Sequence, residues 1–138
     1  MELVIHSDGG ARGNPGPAGI GVVISDPSGK VIKGIGEYIG ETTNNQAEYR
    51  ALIKGLTESL EMGAKKVTCF LDSELVVKQL TGIYKIKEAG LQELAMDALK
   101  LKSKFQSVQF KHVKREQNVA ADKLVNQALD IEANKKSA

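Results

Sequence analysis

The chain of 138 residues has little of what staples small folds together. Its one cysteine, Cys69, excludes a disulfide framework. With only His6 and His112 beside it, a structural zinc site built on sulfur and imidazole is excluded as well. No apolar run approaches the roughly 20 residues that a membrane-spanning helix needs. The opening MELVIHSDGG carries an acid at position 2 and only a short apolar stretch, unlike a secretory leader. Charge of either sign is not in excess: 19 Lys and Arg face 17 Asp and Glu, for a formal net charge of +2. Repeats, low-complexity tracts and linkers rich in Pro, Gly or Ser are missing. The expectation is one domain over residues 1–132, a frayed tail over 133–138, a cytoplasmic location and, by default, a monomer.

What is present is unevenly distributed. Ten of the 14 glycines lie between Gly9 and Gly40, so this region reads as turns and closely approached strands. Residues 1–48 hold three basic and six acidic groups, whereas 100–115 hold six basic residues and no acid. Such a basic run is either a solvated face or a surface for a polyanion.

Hydrophobic periodicity orders the elements. Leu3, Val4 and Ile5 form a short apolar run that stops at Asp8-Gly9-Gly10. Ile20, Val22 and Ile24 alternate as a second strand, the turn Asp26-Pro27-Ser28-Gly29 follows, and a third strand runs from about Val31 to Ile39. The period then lengthens: Ala47, Ala51, Leu52, Leu56 and Leu60 mark a helix from about Asn45 to Gly63. A strand over Lys66–Leu71, a helix through Leu75–Leu80, a helix from about Leu91 to Lys102 and a strand carrying Val108, Phe110 and His112 come next. Asn118 is placed to cap a last helix. The order βββαβα(α)βα predicts an α/β fold: a mixed five-stranded sheet, three antiparallel strands and then two strand–helix units, flanked by helices.

Four acids sit at element ends in this map. Asp8 closes the first strand, Glu48 lies in the first turn of the first helix, Asp72 closes the fourth strand and Asp122 lies early in the last helix. Ligands of open α/β sheets gather at the carboxyl ends of strands. Each acid also has an ordinary reading: turn residue for Asp8, capping-box partner of Asn45 for Glu48, helix cap for Asp72, dipole partner for Asp122. Spacing alone leaves both readings open. Were the four to converge, their repulsion would require counter-charge. All-oxygen ligation suits Mg²⁺ or Mn²⁺, and two such ions clamp the attacking and leaving oxygens of a phosphodiester.

The segments Ser7-Asp8-Gly9-Gly10, Gly13-Asn14-Pro15-Gly16-Pro17, Thr43-Asn44-Asn45-Gln46-Ala47-Glu48, Leu71-Asp72-Ser73 and Asn118 with Ala121-Asp122 occur in one order along the chain. Together they resemble type I ribonuclease H (ribonuclease HI), from about residue 2 to 130. The resemblance implies the ribonuclease H fold and an endoribonuclease that cuts the RNA strand of RNA–DNA hybrids with two Mg²⁺ or Mn²⁺ ions, leaving 3′-hydroxyl and 5′-phosphate ends. It implies Asp8, Glu48, Asp72 and Asp122 as the catalytic metal ligands, with Asp122 on the ion that activates water and Glu48 near the 2′-hydroxyl. It implies Gly9, Gly10, Asn14, Asn44 and Asn45 as contacts to the hybrid, where small residues and amides distinguish the 2′-hydroxyl along the wide minor groove.

Two features depart from the family pattern. The connection Lys114–Asn118 is short and lacks the histidine many bacterial members carry there, which leaves Arg115 or Glu116 to take its part. The basic, aromatic-containing protrusion is reduced to Gly82–Gly90, with Tyr84, Lys85 and Lys87 as a modest phosphate grip. A non-catalytic hybrid-binding module, a different nuclease on the same fold (exonuclease or resolvase) and cleavage of double-stranded RNA are the alternative functions. All four acids are retained, which argues against the first of these.

Overall fold

The computed structural model describes the backbone of residues 1–137 and the side chains of residues 1–135. Five strands, β1 (Glu2–Ala11), β2 (Gly16–Ser25), β3 (Val31–Thr42), β4 (Lys66–Leu71) and β5 (Ser107–His112), form one sheet in the order β3-β2-β1-β4-β5. The pairs β1/β2 and β2/β3 are antiparallel, while β1/β4 and β4/β5 are parallel. The helices are α1 (Asn44–Glu61), α2 (Glu74–Leu80), α3 (Ala89–Lys102) and α4 (Val119–Ser137), with a single 3₁₀ turn at Arg115–Gln117. The mixed α/β architecture expected from the periodicity is the one observed.

The two faces of the sheet are built differently. On one face, Tyr49, Leu52 and Leu56 of α1 are fully buried with Leu3, Ile5, Val22 and Ile24, and Leu91, Ala95 and Ala98 bring α3 into the same core. Each such Leu or Ile contributes roughly 1.5–3 kcal/mol by leaving water. On the other face, α4 lies over β1, β2 and β3. It does so at backbone distance: a Cβ on Gly21 would collide with the Ala121 carbonyl, and one on Gly36 would sit 2.9 Å from the Leu124 carbonyl oxygen. Several of the crowded early glycines are therefore strand residues beneath a helix, not turns.

Three boundaries differ from the sequence expectation. β1 does not stop at Asp8; it continues through Gly9, Gly10 and Ala11, which pair with Ile20, Gly19 and Ala18 of β2. β3 likewise extends to Thr42, because β2 itself begins at Gly16 and supplies partners. The last helix is continuous as far as Ser137 in the stretch 133–138 expected as a frayed tail, a stretch without Gly or Pro, and Ala138 lies outside the described residues.

Candidate active site

The parallel register of β1 and β4 decides where the first two acids go. Ser7 pairs with Leu71, the last rung of that ladder. Asp8 follows within β1, where alternation turns it to the α4 side of the sheet, and Asp72 follows one residue past the end of β4 and lines the same cleft. At this rung β4 ends while β1 runs on, which opens a crevice at the carboxyl edge.

Glu48 arrives from α1. Thr43, not either asparagine, caps that helix, its hydroxyl accepting from the Gln46 N–H at 3.3 Å. Glu48 is thereby released from any capping box and stands on the turn that crosses β1. Gly9 makes the crossing possible: a Cβ there would overlap the backbone of Ala47 and the Glu48 nitrogen. The Gly9 N–H also donates to the Glu48 carboxylate. Asp72 is not a cap either, since Ser73 caps α2 by accepting from Val76 N–H at 3.3 Å.

The carboxylates of Asp8, Glu48 and Asp72 offer oxygens that all lie within 4.8 Å of one another. Asp122 stands outside this trio but interacts directly with Asp8, and its position in the first turn of α4 follows from the glycine-cushioned seat of that helix. Asn118 guides the same approach. Sequence reasoning made it a helix cap. It does stand at the capping position, its backbone carbonyl accepting from the Asp122 N–H at 3.1 Å, but its side chain reaches across to β1, the amide donating to the Ser7 carbonyl at 2.9 Å.

Burial and mutual repulsion leave their mark on the acids. Desolvation, with the Asp72 and Asp122 charges added, pushes the Asp8 carboxyl up to about 7 from 3.8, although its hydrogen bond with Glu48 acts the other way. Glu48 is raised well above its ordinary value by burial first and by Asp8 and Asp72 next. Buried oxygens Oε2 of Glu48 and Oδ2 of Asp72 have no hydrogen-bond partner. Hard acceptor oxygens, crowded and unpartnered, fit a divalent cation such as Mg²⁺ or Mn²⁺ and fit no soft metal.

A stability prediction follows. Without metal, folded Asp8 holds a proton that the unfolded chain releases above pH about 4, so stability falls as pH rises from about 4 to about 7. The loss from Asp8 alone is ~2–4 kcal/mol at one pKa unit per 1.36 kcal/mol, discounted for its residual solvent contact. Thermal melts in chelator across this range should show the decline, and millimolar Mg²⁺ should flatten it. A metal-free melting temperature that rises over the same range would contradict the arrangement.

Around the acids lies a cleft of about 420 Å³, lined by Gly9, Gly10, Asn44 and Asn45 among others. Asn14 does not line it. Its Oδ1 accepts from the Asn44 N–H at 3.1 Å, while Asn44 Oδ1 accepts from the Ala11 N–H at 2.7 Å, so the two amides tie the β1–β2 loop to the start of α1. Arg12, Ser73, Arg115 and Asn126 also line the cleft. Arg12 is held by Asp130 at 2.7 Å. Of these four, the sequence singles out Arg115 as a candidate and Ser73 within the segment Leu71-Asp72-Ser73; Arg12 and Asn126 carry no local pattern that sets them apart. Glu116 is absent from the lining, and His112 is exposed at the end of edge strand β5.

Comparison with known proteins places this geometry. Residues 6–128 match a family model described as reverse transcriptase-like. Over its whole length the chain is 43% identical to the bifunctional protein Rv2228c of Mycobacterium tuberculosis, of which it spans 38%. The crystal structure of RNase H1 from the halophilic archaeon Halobacterium salinarum superposes with a TM-score of 0.92 at 39% identity, covering 94% of this chain and 98% of that one. LC11-RNase H1, solved in complex with an RNA/DNA hybrid, gives a TM-score of 0.89 at 47% identity, over 95% and 99% of the two chains.

Proposed function

Since the chain belongs to the ribonuclease H family, we propose that it is a metal-dependent endoribonuclease acting on the RNA strand of RNA–DNA hybrids. The products are a 3′-hydroxyl and a 5′-phosphate. One observation carries the reading: three buried or half-buried carboxylates converge within 4.8 Å at the carboxyl edge of parallel strands, with a fourth beside them. A structural role gives such a cluster nothing to offset its repulsion.

Asp8, Glu48, Asp72 and Asp122 would hold two divalent ions, magnesium or manganese. The chemistry that such ions would supply there is a lowered pKa for an attacking water and stabilisation of charge on the leaving oxygen of the phosphodiester. The chain supplies position. Glu48, fixed by the Gly9 N–H and the wall of α1, presents its free Oε2 from one side, and Asp72 presents Oδ2 from the strand end. At the rim, the Oδ1 of Asn44 is occupied by the Ala11 N–H, which leaves its Nδ2 to donate to sugar or base edges. Asn45, Gly9 and Gly10 complete a surface open to the 2′-hydroxyl row of the minor groove. Asn14 supports this surface through Asn44. The reading takes the protein as a monomeric single domain acting in the cytoplasm, with its one thiol buried at Cys69. Among the described residues, no helix is long and apolar enough to cross a membrane.

Arg115 takes the part that the family gives to a loop histidine, as a fixed positive charge and donor at the cleft wall. Arg115→Ala is expected to lower the cleavage rate about tenfold to a hundredfold, the range for losing a charged hydrogen bond of ~1.5–3 kcal/mol. Glu116→Ala, on the outer side of the same turn, should leave the rate within about twofold. Single-turnover rates on one hybrid test both, and equal effects of the two variants would remove Arg115 from the site.

The direct test of the function is cleavage of labelled RNA–DNA hybrid, double-stranded RNA and single-stranded RNA, with Mg²⁺, with Mn²⁺ and with chelator. Metal-dependent cutting of the hybrid alone is the expected outcome.

A further inference from the structure

The basic run that stands out in the sequence is not consumed by the cleft. Segments 65–66 and 100–115 hold eight basic residues and no acid. The fold gathers them along one border of the sheet. Lys104 lies in the turn from α3 to β5, and the Gln106 N–H donates to the Lys65 carbonyl at 2.8 Å, which brings Lys65 and Lys66 to the same corner. From there β5, the sheet's outer strand, leads past Lys111 to Lys114 and Arg115, and Arg115 lines the cleft.

Lys111 marks the route. It pairs in register with Phe70, which pairs with His6, so it shares the α4-side face with Asp8 and Asp72 and lies one side-chain row behind them. Helix α4 lies over β1 to β3, so β5 carries Lys111 on the part of that face beyond it. The charges are also uncommitted. Arg12, Lys33, Lys54 and Lys78 form the ion pairs seen among the described residues, whereas none of these eight does. Only Lys102 is engaged, over the Phe110 ring at 5.7 Å.

We propose that this border is a second nucleic-acid surface, one that grips the phosphates of the hybrid's flank outside the cleft. The proposal rests on the endoribonuclease reading for the identity of the polyanion. Six residues of edge strand span ~20 Å, so the strip lengthens the contact by several phosphates. Its chemistry is that of backbone contact without sequence choice: lysine point charges, with Ser107, Gln109 and Thr68 between them and one acid, Glu2, beside Lys66 at the end far from the cleft. An acidic protein partner is the weaker fit, because the strip leads into the cleft and offers no exposed aromatic anchor of the kind protein interfaces centre on.

The experiment compares Lys104→Gln/Lys111→Gln with a charge-matched control, Lys30→Gln/Lys135→Gln. Hybrids of about 8 base pairs, less than one helical turn, and about 30 base pairs, nearly three turns, serve as ligands. Binding is read by fluorescence anisotropy in the Asp8→Asn background with Mg²⁺, across a salt series; cleavage is read in the otherwise native chain. On the long hybrid, the strip variant should lose affinity and its log–log salt slope should fall by about 2, at roughly 0.9 per phosphate contact. The short hybrid and the control variant should show neither change. An unchanged slope on the long hybrid, or equal losses on both lengths, would overturn the proposal and leave the strip as a solvated face or a site for an acidic protein. Failure of the unmodified chain to cut either hybrid would instead strike the endoribonuclease reading, since binding to the strip is scored separately.

Discussion

Asp8→Asn should abolish hybrid cleavage while making the metal-free protein more stable at neutral pH. The two effects have one cause. Asp8 sits in the crevice beside Glu48, Asp72 and Asp122, and its own carboxyl is pushed up to about 7 by burial and by those charges. An amide of the same shape removes one buried negative charge and relieves Glu48 as well, whose carboxyl Asp8 helps to raise. The gain in metal-free stability at pH 7 to 8 is expected at ~2 kcal/mol or more. The cleavage rate should fall at least about 10³-fold, the upper range for deleting one group that acts on transition-state charge. The metal should also lose its stabilising effect, because that effect would come from binding to the folded state alone. A residue kept for structure would behave differently: its replacement would cost stability and activity together. Chemical denaturation with and without Mg²⁺, run beside the cleavage assay, separates the two.

Gly9→Ala should be nearly as damaging, without touching any acid. The added methyl would drive into the Ala47 backbone and the Glu48 nitrogen, where no flexible side chain can yield. Either β1 or the first turn of α1 must move, and the Glu48 carboxylate moves with it. Overpacking of this kind costs roughly 1–3 kcal/mol, occasionally more, and displacing a positioned group by about 1 Å costs on the order of 10²-fold in rate. Gly10→Ala is the matched control. A Cβ there meets Val125 Cγ1 at 3.8 Å, an ordinary contact, so stability should change by less than about 0.5 kcal/mol. Equal losses of stability at the two positions would mean that the crossing of α1 over β1 does not set the site.

Those two glycines also show what a one-dimensional reading can and cannot recover. The element order and the four acids were legible, because periodicity switches cleanly at Asn45 and the acids stand at the breaks. The meaning of the glycines was not. Glycine in a turn and glycine in a strand beneath a helix look the same in sequence, so the pattern ends the first strand at Asp8 whereas β1 continues to Ala11. Capping is ambiguous in the sequence for a related reason. Thr43, Asn44 and Asn45 are all good caps in succession, as are Asp72 and Ser73, and only the entry angle of the chain selects one. The selection matters, because giving the caps to Thr43 and Ser73 frees Glu48 and Asp72 for the crevice. Asn118 holds the capping position the sequence gives it, but its amide is used on the Ser7 carbonyl, 111 positions away, a partner no local pattern announces. Arg12 and Asn126 joined the cleft through long-range packing that leaves no local trace.

The most direct measurement is a single-turnover assay of the unmodified chain on a uniformly labelled RNA–DNA hybrid at neutral pH, with Mg²⁺ or Mn²⁺ and with chelator. The geometry of Asp8, Glu48, Asp72 and Asp122 predicts cutting of the RNA strand with either metal, none in chelator, and 5′-phosphate ends on the products. An intact RNA strand under every metal condition, from protein shown to be folded, would contradict it.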